Sequence, residues 1–173
     1  MSGVFFLSDL HLGHKNVTKF ENHFRAKAMG IRPCSLDEAI KVHDRLIIDR
    51  INETVDKRSK LYLLGDIGYN TDLLHEIECK TVTMVLGNHD TQGAEFFISK
   101  FGWEVLGAHA YKGFWISHFP IHPDELYGKR NIHGHVHCKS VKDDRYINIS
   151  VEMNGGYPVS FEDIKSGKYK TGE

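Results

Sequence analysis

The sequence predicts an α/β fold built on one or two central sheets. Short apolar runs rich in strand-forming residues recur along the chain, and stretches of helical periodicity lie between them. No internal repeat and no Pro-, Gly- or Ser-rich linker divides the 173 residues, so residues 1–173 read as one domain.

The first run, Val4–Leu7, is fully apolar, reads as a buried strand and stops at Ser8-Asp9. A helix is expected to start just after Gly13, near His14. Ser35-Leu36-Asp37-Glu38 is a capping-box sequence, and the helix it opens is expected to run to about Val55. Leu36, Ile40, His43, Ile47 and Ile51 follow at spacings of three and four, so one stripe of that helix faces a core. The second run, 61–64, ends at Gly65-Asp66, and 71–77 reads as a short helix. The third, 82–86, ends at Gly87-Asn88-His89-Asp90 and precedes a helix over 94–101. Phe114–Ile116 is the fourth and ends at Ser117-His118. A weaker fifth, around Asn131-Ile132, ends at His133-Gly134-His135-Val136-His137. Residues 146–151 alternate, which predicts a half-exposed strand. Ser160 is placed to cap a last helical turn before a basic tail.

Bulk properties narrow the function classes. A net charge of -1 gives no support to tight non-specific binding of nucleic acid or membrane. Val4–Leu7 is far too short for a signal peptide or a membrane span. The cysteines, Cys34, Cys79 and Cys138, are odd in number and far apart, which argues against a disulfide framework and for a reducing cytoplasm. Twelve histidines are a high load, and five of them fall between His118 and His137.

Each of the five apolar runs stops within a residue or two of an Asp, Asn or His. Functional groups of α/β folds collect beyond the carboxyl ends of neighbouring strands. Five strands ending on one side would gather Asp9, His11, Asp66, Asn88, His118, His135 and His137 in one crevice. Residues i and i+2 of extended chain point the same way, so Asp9 and His11 can face one ion, as can His135 and His137. Gly65, Gly87 and Gly134 are expected to give the backbone unusual turns there. Seven ligands exceed the needs of one metal and suit two ions about 3.5–4 Å apart that share a carboxylate.

Taken in order, Ser8-Asp9-Leu10-His11, Gly65-Asp66, Gly87-Asn88-His89-Asp90, Ser117-His118 and Gly134-His135-Val136-His137 resemble the five motifs of the calcineurin-like metallophosphoesterase superfamily. The segment from Ser8 to Asn16 is similar to the start of its small bacterial and phage members, S-D-x-H-x-G-H-x-N. The end, Gly156 to Ser160, resembles theirs too, although Glu152 stands where Asp is expected. The resemblance implies a four-layer α/β/β/α sandwich of two mixed sheets, with the metal site at the strand carboxyl ends. It also implies that Asp9, His11 and His137 bind one ion, that Asn88, His118 and His135 bind the other, and that Asp66 bridges them. The cofactor is then two divalent ions, manganese first, with Fe, Zn, Co or Ni as alternatives. The implied reaction is hydrolysis of a phosphate ester, a diester first, by metal-activated water. His89 would serve the leaving oxygen and Asp90 would orient His89.

Among the remaining residues, His14 and Asn16 are either substrate contacts or simple capping residues of the helix they begin. His43 reads as a core-edge histidine, His122 as surface and His133 as structural. Lys57-Arg58-Ser59-Lys60 reads as a solvated face, and Trp103 and Trp115 as core. The expected partner is a phosphate ester, with a nucleotide among the candidates. A phosphomonoesterase is an alternative on the same centre. A nuclease would need a basic groove or a capping domain, neither of which is evident. A non-catalytic scaffold would be signalled by missing ligands, and none is missing.

Overall fold

The computed structural model describes residues 3–20, 22–32 and 35–169; Cys34 and the last four residues of the tail lie outside it. Strands β1 (Val4–Leu7), β2 (Lys60–Leu63), β3 (Thr81–Val85), β4 (Glu104–Leu106) and β9 (Val159–Ser160) form one sheet in the order β4-β3-β2-β1-β9. The first four are parallel and β9 is antiparallel to β1. Strands β5 (His109–Tyr111), β6 (Phe114–Ile116), β7 (Arg130–His133) and β8 (Tyr146–Asn148) form the second sheet in that order, with β5 antiparallel to its neighbour. Both sheets are therefore mixed, and the fold is an α/β sandwich.

The first three apolar runs are continuous because the larger sheet is buried on both faces. Leu7, Leu61, Leu63 and Met84 face one core with Ile47, Ile48 and Ile51 of helix α3 (Leu36–Thr54) and Phe97 of helix α4 (Gly93–Phe101). Phe6, Tyr62, Leu64 and Val85 face a second core shared with Ile116, Ile132 and Ile147 of the smaller sheet. The outer face of the smaller sheet is covered by the segment 119–129, which carries a 3-10 turn at Pro123–Glu125. Trp115 Nε1 donates to the Leu126 carbonyl there, and the amide N–H of Ile121 donates to Asn131 Oδ1.

Ser35 caps α3 by accepting from the Glu38 amide, and Ser160 caps helix α6 (Phe161–Lys165) by accepting from the Asp163 amide. The buried stripe of α3 begins a turn later than the periodicity suggests: Leu36 is exposed, while His43 and its neighbour Asp44 are buried. The short helix expected over 71–77 is a 3-10 helix, Thr71–Glu76. One expectation is corrected. The alternating segment 146–151 is a strand only over Tyr146–Asn148, buried throughout, and Val151 already opens helix α5 (Val151–Asn154). Helices α1 (Lys15–Phe20) and α2 (Asn22–Met29) lie between β1 and α3. Among the described residues, no helix is long and apolar enough to cross a membrane.

The carboxyl end of β1 joins the two sheets. The Ser8 amide donates to the Ile149 carbonyl and the Val151 amide donates to that of Ser8, while the Asp9 amide reaches the Gly65 carbonyl. Loops leaving both sheets are thereby held against one another.

Candidate metal centre

Two groups of side chains stand where these loops meet. Potential ligand atoms of Asp9, His11 and His137 lie within 4.8 Å of one another, and those of Asp66, His118 and His135 do likewise. Either cluster can hold a metal ion. Asp66 Oδ2 stands between them, 3.6 Å from His11 Nε2 and 3.5 Å from His118 Nε2.

Hydrogen bonds around the clusters decide which ring nitrogen is free. A carbonyl can only accept, so His118 Nδ1 carries the proton it gives to the Leu64 carbonyl at 2.7 Å. In the neutral tautomer its Nε2 is then a lone pair, and it faces Asn88 Oδ1 at 3.2 Å. Two acceptors so placed are satisfied by a shared cation. His137 Nδ1 donates to Glu152 Oε1 at 3.1 Å, the kind of carboxylate partner that orients a metal-binding imidazole. Both nitrogens of the buried His11 ring lack a hydrogen-bond partner, a costly arrangement unless an ion occupies one of them. Burial, then the Arg25 guanidinium, holds this imidazole neutral. Burial, then His118, also lowers the pKa of His135. Neutral imidazole is the form that binds metal. Donor chemistry, orphaned nitrogens and protonation state all fit a pair of divalent ions.

Backbone strain concentrates here too. Asp9, His11, Asp66, His135 and His137 have φ of 61°, 50°, 54°, 68° and 53°. Non-glycine residues avoid this left-handed region, at a cost of about 1–3 kcal/mol each. Hydrogen bonds hold Asp9 in place: its carboxylate accepts from the His135 amide at 3.0 Å and from Ser150 Oγ at 2.8 Å. Of the three glycines expected to turn the chain, only Gly65 has a left-handed φ, at 83°. Gly87 and Gly134 are needed for close approach instead. A Cβ at Gly87 would overlap the Asp66 carboxylate, and one at Gly134 would overlap Ser8 Oγ and the Asp9 carboxylate.

Asn88 and His89 follow β3 and are exposed at the mouth of the centre. The His89 ring lies 5.5 Å from that of His11 and 6.1 Å from that of His14. Asp90 does not orient His89, contrary to expectation. Its buried carboxylate accepts from the amides of Asp66 and Ile67 at 2.8 Å and of Gly87 at 2.7 Å, tying the loop after β2 to the loop after β3. His14 caps α1, its Nδ1 accepting from the Val17 amide at 3.2 Å, and it also packs 5.3 Å from His11. Asn16 is exposed on α1.

A buried polar network behind the first cluster had no signal in the spacing of residues. Arg25 of α2 donates to Glu152 Oε1 at 2.6 Å and to the carbonyls of Asp9 and Leu10 at 2.9 and 3.2 Å. Its Nη1 also donates to His43 Nε2 at 3.2 Å, while His43 Nδ1 donates to Asp44 at 2.9 Å. Asp44 in turn accepts from the Gly13 amide and from Asn70. Burial pushes the Glu152 carboxyl up, but Arg25 and His137 outweigh it and hold its pKa at about 2. His43 is therefore part of a charged scaffold under the first loop. Its one hint was a histidine on an otherwise apolar stripe; that of Glu152 was its place in the resemblance, where Asp is expected. Arg25 had none. His122 is exposed and His133 is buried, as expected, with burial lowering the pKa of His133 to about 4.

No family model and no curated protein matches the chain. Among solved structures, it is similar to the protein of unknown function AQ665 from Aquifex aeolicus, with a TM-score of 0.68 and 21% identity over 96% of this chain and 99% of that one. That likeness concerns the fold alone. The Pseudomonas putida nuclease MPE is more distant, with a TM-score of 0.42 and 19% identity over 78% of this chain and 61% of the nuclease.

Proposed function

We propose that the protein is a binuclear metal-dependent hydrolase of phosphate esters, phosphodiesters first, within the calcineurin-like metallophosphoesterase superfamily. The observation that carries this reading is one carboxylate oxygen, Asp66 Oδ2, placed between two clusters of histidine and carboxylate ligands. The ligand sets are Asp9, His11 and His137 on one side and Asn88, His118 and His135 on the other, with Asp66 common to both. Manganese is the first choice of metal, since mixed imidazole and carboxylate donors accept several divalent ions. When bound, such ions acidify water and offset charge on the phosphoryl oxygens.

The chain's own residues have separate tasks in this reading. His89 holds a proton for the leaving oxygen. Its amide N–H is fixed by Asp66 Oδ1 at 2.9 Å, which couples the position of the acid to that of the bridge. The Nδ1 of His14 is an acceptor, so its Nε2 carries the proton and offers a donor to a phosphoryl oxygen. Asp90 acts through the backbone, holding the Asp66 and Gly87 amides in register. A cytoplasmic protein with a soluble phosphate-ester substrate, a nucleotide among the candidates, agrees with this assignment.

The test crosses metal-stripped protein with Mn, Fe, Zn, Co and Ni against bis-p-nitrophenyl phosphate, p-nitrophenyl phosphate and cyclic nucleotides. Metal-dependent turnover with the diester ahead of the monoester is expected. No turnover with any ion, in protein shown to have bound metal, would overturn the enzymatic reading in favour of a scaffold.

A further inference from the structure

A cavity of about 440 Å³ opens beside the second cluster, between the carboxyl edge of the larger sheet and the loop after β6. Its walls include Val85, Leu86, Ala94, Leu106, Phe119 and Ile121, and it reaches His118. Three properties restrict what fills it. First, it shares His118 with the second ligand cluster, so an ester whose phosphorus is held there can extend its organic group into the cavity. Second, no Asp, Glu, Lys or Arg lines it, and the Ser117 hydroxyl is turned to the Phe119 carbonyl at 2.6 Å. A second phosphate or a bare sugar would find neither a cation nor free hydroxyl groups there. Third, Phe119 is 47% exposed at the rim, with its ring 4.9 Å from that of His118 and 4.4 Å from that of His135. An aromatic face left open beside a ligand cluster is suited to stacking on another ring.

We infer that this cavity, with Phe119 as its stacking face, is the subsite for an uncharged planar ring of nucleobase size, and that the substrate is a nucleobase-bearing phosphate ester. The inference rests on the phosphoesterase reading and adds the substrate class to it. Stacking of one base on an aromatic side chain is worth roughly five- to 150-fold in affinity, so discrimination of about tenfold is the scale to look for.

The experiment titrates manganese-loaded protein calorimetrically with adenosine 5'-monophosphate, ribose 5-phosphate and hexyl phosphate, which share a phosphate and differ in the appended group. The nucleotide should bind about tenfold or more tighter than ribose 5-phosphate. Phe119→Ala should erase most of that difference. Ala94→Phe, which fills the cavity from α4, should do the same without altering the Phe119–His135 contact. Both variants should keep the wild-type affinity for ribose 5-phosphate, the wild-type metal content by elemental analysis and a cooperative melt. Equal binding of nucleotide and ribose 5-phosphate by wild type would overturn the subsite and leave the phosphoesterase reading standing. So would full nucleotide affinity in Ala94→Phe. Hexyl phosphate binding as well as the nucleotide would make the cavity an alkyl pocket and overturn the ring assignment. Failure of all three to bind would count against the phosphoesterase reading beneath it.

Discussion

Arg25→Met is the substitution whose cost can be worked furthest from the structure. It keeps the length of the side chain and removes a guanidinium that is 1% exposed. Glu152 loses its ion-pair partner and keeps a carboxylate whose Oε2 is already buried without a hydrogen bond. Breaking one side of a buried pair costs about 3–5 kcal/mol, because the stranded charge stays desolvated. For 173 residues at about 2.1 cal/mol/K per residue, the melting temperature should fall by roughly 8–14 °C. Arg25→Met/Glu152→Gln removes the stranded charge as well, and it should recover part of the loss, giving a coupling energy in a double-mutant cycle. The pH dependence has a definite sign. The pKa of Glu152 is lowered from 4.5 to about 2 in the fold, so its contribution is complete above 4.5 and vanishes as pH falls towards 2. The gap between wild type and Arg25→Met should therefore close through that window. Thermal and urea melts of metal-free protein measure all of this. A loss below about 1 kcal/mol, or a double variant no better than the sum of the singles, would refute the stranded-charge reasoning.

Three further outcomes are expected. Asp66→Asn should lower uptake of both ions together, and activity should fall by more than the roughly 10–100-fold typical for loss of a ligand's supporting partner; wild-type activity in that variant would show that the shared carboxylate is misassigned. His89→Ala should keep both ions while kcat falls about 10²–10⁴-fold on an alkyl or nucleoside diester and much less on a nitrophenyl diester, whose leaving group departs without a proton; equal losses on the two would make His89 a positioning group. His43 is held neutral by burial, against the bond to Asp44, so its pKa is lowered from 6.5. The unfolded chain then binds more protons below that value, and stability is complete above pH 6.5 and declines below it. His43→Asn should flatten that decline by up to about 1.4 kcal/mol per pH unit, read from urea midpoints at pH 5 to 7; an unchanged slope would count against a neutral His43.

What the sequence disclosed, and what it hid, follow from two kinds of physics. Continuous apolar runs such as Val4–Leu7 and 61–64 are legible because a sheet buried on both faces leaves no polar alternation. The clusters are legible because parallel strands deliver their following residues to one edge, so Asp9, Asp66 and His118 meet although they are far apart in sequence. Short edge strands such as Glu104–Leu106 and Val159–Ser160 carry too few residues to show a period. The segment 146–151 alternates in sequence, yet the fold buries Tyr146, Ile147 and Asn148 alike. Arg25 was invisible for another reason. A buried guanidinium is decided by its partners Glu152, His43 and the Asp9 carbonyl, which come from three distant segments. Asp90 sits inside a recognisable motif, but its role is backbone support, and only the amides aimed at its oxygens reveal that.

The shared carboxylate is tested most directly by anomalous scattering from a crystal of the protein loaded with manganese. Two peaks within about 4 Å of each other are expected on either side of Asp66, one against Asp9, His11 and His137 and the other against Asn88, His118 and His135. A single peak, or two peaks of which either lacks contact with Asp66, would contradict the binuclear centre.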